Sequence, residues 1–116
     1  MANELEQLRD QLRIFAAERD WDQFHSPKNL ACALSVEAAE LLENFQWLTD
    51  DGSSNLPPVK KEEVRMEIAD VLLYLIRLSD KLGIDAVEAA HAKLLINAQK
   101  YPVATARGTS KKYSEL

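Results

Sequence analysis

The sequence predicts an all-α chain, and three observations carry that expectation. Alanine and leucine abound, while three glycines and four prolines are all that interrupt 116 residues. That balance favours helices over sheets. Apolar residues recur at spacings of three and four, the helical period. Finally, Glu37-Ala38-Ala39-Glu40-Leu41-Leu42 is echoed thirty positions later by Glu67-Ile68-Ala69-Asp70-Val71-Leu72. Each copy is an acid, two small or apolar residues, an acid, then two aliphatics. Residues three apart share a helix face, so each copy sets two carboxylates side by side. The expected architecture is a four-helix bundle core within one domain, 1–116.

Composition narrows the function classes. A chain of this length buries roughly two-thirds of its unfolded surface, and 47 % of the residues are apolar, enough for a core. A net charge of −5 argues against nucleic acid or an anionic membrane as partner. Cys32 is the single cysteine, so no internal disulfide forms, and it reads as a small apolar residue in a reducing compartment. No apolar run approaches the ~20 residues of a membrane span. Met1 to Asp10 is charged and lacks the apolar centre of a signal peptide. A cytoplasmic protein is expected.

Taken in order, the first helix spans about 3–20, with Leu5, Leu8, Leu12 and Phe15 as its packing stripe. Residues 19–29 break the period and gather Trp21, Phe24 and His25. Two readings stand for these aromatics: the wall of a pocket, or a staple over the core. Ser26-Pro27 starts the second helix, serine as N-cap and proline at the first helical position. This helix runs to about Trp47. Residues 48–60 hold Asp51-Gly52 and Pro57-Pro58 and read as a turn-rich, mobile connector, or a lid. The third helix, about 60–82, is the most apolar and is expected to be central. Gly83 is its stop. Asp85-Ala86-Val87-Glu88 is a capping box for a fourth helix, about 85–100. The tail, 101–116, has no helical period. It is either a frayed terminus or, through Arg107, Lys111 and Lys112, a cationic strap over an anionic ligand.

The acid pairs are the candidate site. Leu30, Leu34, Ala38, Leu41 and Phe45 form one stripe, and Val64, Ile68, Val71, Leu75, Leu78 and Leu82 form the other. Glu37 lies roughly 20° outside its stripe and Glu40 roughly 60° further round, with Glu67 and Asp70 at the same offsets. The inner acid of each pair thus sits at the edge of an apolar face, where exposed helix acids do not usually lie. Four carboxylates at such a seam require either shared protons or a cation among them. An all-oxygen cluster suits Mg²⁺, Mn²⁺ or Ca²⁺, not zinc. Glu43 rotates away from the stripe, and Asn44 returns near the acidic edge. Tyr74, one turn past Asp70, is a ligand contact or a buried hydroxyl seeking a partner. Lys93 and Asn97 share a face and by themselves read as exposed polar residues.

These residues carry a family likeness. Glu37-x-x-Glu40, a 26-residue gap, then Glu67-x-x-Asp70 resembles the signature of the MazG-like all-α nucleoside triphosphate pyrophosphohydrolases. Phe15-Ala16-Ala17-Glu18-Arg19-Asp20-Trp21-Asp22-Gln23-Phe24-His25, Phe45-Gln46-Trp47, Tyr101-Pro102-Val103, Arg107-Gly108 and Lys112-Tyr113 resemble the dCTP pyrophosphatase branch. The likeness covers about 12–116. Val36 stands where many members carry a second glutamate, a departure that this branch shares.

The resemblance implies a four-helix core assembled as a dimer or tetramer. It also implies Mg²⁺-dependent hydrolysis of a nucleoside triphosphate to monophosphate and pyrophosphate, with Mn²⁺ as a substitute metal. By the same likeness, Glu37, Glu40, Glu67 and Asp70 hold metal. His25, Trp47 and Tyr74 wall the base and sugar site with Trp21 near it, and Lys93, Asn97, Lys112 and Arg107 hold phosphates. Two other readings compete: the same fold acting on dUTP or phosphoribosyl-ATP, or a non-catalytic dimerisation module. In the module, the edge acids would pair with Lys81, Arg77 or Lys93.

Overall fold

A computed structural model describes residues 2–116, and among them every regular element is helical. Two compact units divide the chain, the first ending at Gly83 and the second running Ile84–Leu116.

In the first unit, α1 (Glu4–Glu18), α2 (Pro27–Glu43), α3 (Asp50–Ser54) and α4 (Pro58–Lys81) follow one another. Helix α4 is central, packing on α2 along one side and on α1 along another. The termini follow from local chemistry. Asn3 and Ser26 cap α1 and α2 by accepting from the backbone N–H groups of Glu6 and Asn29. Pro58 starts α4 two residues earlier than the periodicity suggests, because proline suits the first helical position. Gly83, at φ 67°, closes it in the left-handed region. Asp20, at φ 54°, does the same after α1, a role that aspartate tolerates.

Two expectations are corrected here. The connector 48–60 contains a helix, α3, because the Thr49 side chain caps it by accepting from the Gly52 N–H and Ser53 Oγ donates to the Asp50 carbonyl. The apolar stripe assigned to α4 is half right. Val64 is buried, but Ile68, Leu75 and Leu82 are exposed, and Ile76 and Arg77 are buried instead. A helix apolar on most sides does not reveal from its period which side packs.

In the second unit, Asp85 caps α5 (Ala86–Lys100) by accepting from the Glu88 N–H. The tail is folded: it holds α6 (Val103–Ala106) and a 3₁₀ turn at Tyr113–Glu115. The Tyr101 and Tyr113 rings meet edge to face, 6.1 Å between centroids, and Lys100 Nζ lies 4.8 Å over the Tyr113 ring.

Candidate functional site

Helices α2 and α4 lie side by side, and their acid pairs face each other. One carboxylate oxygen from each of Glu37, Glu67 and Asp70 falls within 4.8 Å of the others. Glu37 and Glu67 are half-buried and Asp70 is exposed, as their angular positions on the two helices require. The Oε2 atoms of Glu37 and Glu67 are buried without a hydrogen-bond partner. Buried carboxylate oxygens are rarely left so. Burial first, then the neighbouring Glu67 and Glu40 carboxylates, push Glu37 up to about 7. Glu40 therefore stands close to Glu37, although it lies outside the group of three. Asn44 bridges this edge: its side-chain amide donates to the Glu40 carbonyl and its Oδ1 accepts from Lys60 Nζ at 3.3 Å.

The orphaned oxygens and an all-carboxylate donor set fit a hard divalent cation, which would supply the positive charge that the three acids lack. Among the described residues, none of the three acids forms a salt bridge with a basic side chain. Arg77 and Lys81, candidate partners in the purely structural reading, pair with Asp22 and Asp80 instead.

Asp70 also faces a cavity of about 440 Å³ between α1, the 3₁₀ turn Asp22–Phe24 and α4. Trp21, His25, Tyr74 and Arg77 line it together with Leu12 and Phe15. The walls are ordered by aromatic packing. Trp21 meets Phe15 edge-on at 5.6 Å and His25 at 6.2 Å between centroids. Trp21 N–H donates to the Ala16 carbonyl at 2.9 Å, which folds the segment back against α1. Of the two readings for these aromatics, Trp21 and His25 take the pocket wall, whereas Phe24 is exposed. A cavity of this size, apolar with a few polar groups and opening on a carboxylate cluster, admits a small planar ring joined to an anionic chain that needs a cation.

Comparison with known proteins agrees with this geometry. The sequence matches the MazG-like family over residues 32–116. The chain belongs to the MazG-like family. It is 44 % identical to human dCTP pyrophosphatase 1 over 114 residues, 97 % of this chain and 67 % of the relative. The mouse dCTP pyrophosphatase 1 is 43 % identical over the same coverage. A crystal structure of a pyrophosphatase from Archaeoglobus fulgidus has a TM-score of 0.82 and 45 % identity, covering 88 % of this chain and 95 % of that one.

The remaining residues expected at the site are not among those that line the cavity. Trp47 follows the end of α2, is 88 % exposed and does not line the cavity. Lys93 and Asn97 lie on α5 of the second unit, Lys93 exposed and Asn97 half-buried. Arg107 ends α6, and Lys112 precedes the 3₁₀ turn of the tail; both are exposed. Arg77, Leu12 and Phe15 are cavity residues that the sequence reading did not assign to the site. Leu12 and Phe15 belong to the α1 stripe, whose period marks an apolar face without telling a packing contact from a cavity wall. Nothing in the sequence distinguishes Arg77 from an exposed helix arginine. No helix among the described residues is long and apolar enough to cross a membrane.

Proposed function

We propose that this chain hydrolyses a deoxynucleoside triphosphate, dCTP or a base-modified dCTP first, to the monophosphate and pyrophosphate. The observation that carries the proposal is the shared residue Asp70, which belongs both to the carboxylate cluster and to the cavity wall. One ligand can then place a ring in the cavity and its phosphates at the acids. The names of the relatives give the substrate class.

In this reading Glu37, Glu67 and Asp70 hold Mg²⁺, or Mn²⁺ in its place, with Glu40 completing the acidic edge. The cation, once bound, neutralises phosphate charge and polarises the phosphoryl group. One carboxylate of the cluster orients the attacking water and takes its proton. The water oxygen bonds to the α-phosphorus, the bond to the bridging oxygen breaks, and pyrophosphate leaves. Trp21 and Tyr74 stack and enclose the base, a contact of about 1–3 kcal/mol per base for an aromatic partner. Lys93, Asn97, Arg107 and Lys112 are proposed to hold phosphates. Trp47, exposed in the single chain, is proposed to join the base site in a homodimer or homotetramer. The setting is cytoplasmic, where the lone thiol of Cys32 stays reduced.

A panel of dCTP, dUTP, dTTP and phosphoribosyl-ATP, assayed for pyrophosphate with and without Mg²⁺, tests the reaction. The expected outcome is Mg²⁺-dependent release, fastest from dCTP. Glu37→Ala and Asp70→Ala should each lose at least about a hundredfold in rate with their helix content intact. Turnover that survives either substitution would rule out the proposed metal site.

A further inference from the structure

Of the side chains that line the cavity, Arg77 alone is a cation. It is 5 % exposed, and its guanidinium is taken up by protein groups. Its Nη2 donates to the Asp22 carboxylate, and its Nη1 stands 3.8 Å from Asp80. Its Nε donates to Nδ1 of His25 at 3.1 Å. Lys81 holds the same Asp22 at 3.0 Å, and Arg13 holds Asp80. A guanidinium so occupied has little left to offer a phosphate.

The bond to Nδ1 has a chemical consequence. Arginine only donates and stays charged in proteins. Nδ1 must therefore carry a lone pair, which makes the imidazole neutral and puts its single proton on Nε2. Burial first, then the charge of Arg77, hold His25 below its ordinary range, which favours the same neutral state. Trp21, edge-on to the ring, fixes its plane. Nε2 makes no hydrogen bond to the described residues, and the ring lines the cavity.

We propose that Arg77 is a positioning residue for base selection, locking His25 as the Nε2–H tautomer so that the cavity presents one fixed donor to ring position 3 of a pyrimidine. Cytosine has an unprotonated, accepting N3. Uracil and thymine carry N3–H there and meet the donor with a donor. An unrestrained histidine would not discriminate, because a ring flip or a proton shift turns its donor into an acceptor. The inference rests on the triphosphate reading above and names the group that chooses among its substrates.

Long-range ¹H–¹⁵N spectra of the whole chain, with His91→Asn for assignment, test the tautomer directly. His25 should show a protonated Nε2 and a bare Nδ1 above neutral pH. Added dCMP should move the Nε2–H proton downfield, and dUMP should not. In Arg77→Met the tautomers should mix, and the dCTP to dUTP ratio of kcat/KM should fall by about tenfold or more, chiefly through KM. A proton on Nδ1, or equal shifts from dCMP and dUMP, overturns the proposal even if Arg77→Met does not fold. An unchanged ratio in a folded Arg77→Met does so as well. If no triphosphate is hydrolysed but the tautomer and the selective dCMP shift are found, the selection stands and the reaction proposed above falls.

Discussion

In the proposed metal site, Glu37 would couple stability, pH and metal binding in a single carboxyl group. Its ordinary value is 4.5, and in the fold it is pushed up to about 7, first by burial and then by Glu67 and Glu40. Between those two values the folded, metal-free chain binds more protons than the unfolded chain. The contribution of this group to stability is therefore complete below the lower value and is lost as pH rises through the upper one. A divalent ion needs the ionised form, so its apparent affinity rises over the same window. The metal-free melting midpoint should fall as pH is raised through neutrality, and saturating Mg²⁺ should reverse that fall. At a hundred times its dissociation constant the ion adds about 2.7 kcal/mol. Glu37→Gln should abolish the Mg²⁺ increment and flatten the pH dependence, as differential scanning fluorimetry would show. A Mg²⁺ increment that persists in Glu37→Gln would remove this residue from the metal set.

Between elements, the tie that matters most is Asp80. Arg13 of α1 grips it with two bonds, Nε to Oδ2 at 2.7 Å and Nη2 to Oδ1 at 2.5 Å. Arg13 holds the Asp80 carboxyl below the usual carboxylate range against the opposing effect of burial. Its stabilisation is thus present above the ordinary carboxylate value and is lost as pH falls through the lower, folded value. Asp80→Ala should cost about 1–3 kcal/mol in urea unfolding, because it leaves Arg13 short of a partner and the buried Arg77 with Asp22 as its one remaining carboxylate. A loss within error would mean that the α1–α4 contact is held by apolar packing alone. The same elements mark what a sequence can and cannot disclose. Ser26, Gly83 and Asp85 are local signals, and the helix ends they imply need no tertiary information. The acid pairs were legible because spacing three fixes a shared helix face whatever the neighbours are. Helix α3 was obscured by Gly52, a residue that resists helices, although Thr49 caps the turn. The facing of α4 was obscured for another reason: Ile68 and Ile76 are chemically alike, and only the positions of α1 and α2 decide which one is covered. Arg77 could not be singled out, since its burial depends on Asp22 and His25, more than fifty residues away in the chain.

Across the chain, exposed aliphatics outnumber buried ones among the described residues. Ala16, Leu30, Val64 and Ile76 are the buried apolar residues, while Ile68, Leu72 and Leu75 on α4 and Leu94 and Leu95 on α5 are exposed. Such faces are what the homodimer or homotetramer proposed above would cover. Sedimentation at micromolar concentration should give a mass above that of one chain, and Ile68→Glu with Leu75→Glu should lower it. A native chain that sediments as a monomer would leave these faces without an explanation. Asp20 bears on how this molecule could be altered. Its left-handed backbone immediately precedes Trp21, whose backbone N–H returns to the Ala16 carbonyl and whose ring lines the cavity. Glycine or asparagine can adopt that conformation, whereas valine or isoleucine cannot do so without strain. A mutant library restricted to this position should retune the cavity while leaving the acids untouched, so altered substrate preference could be engineered from a residue outside the cavity lining.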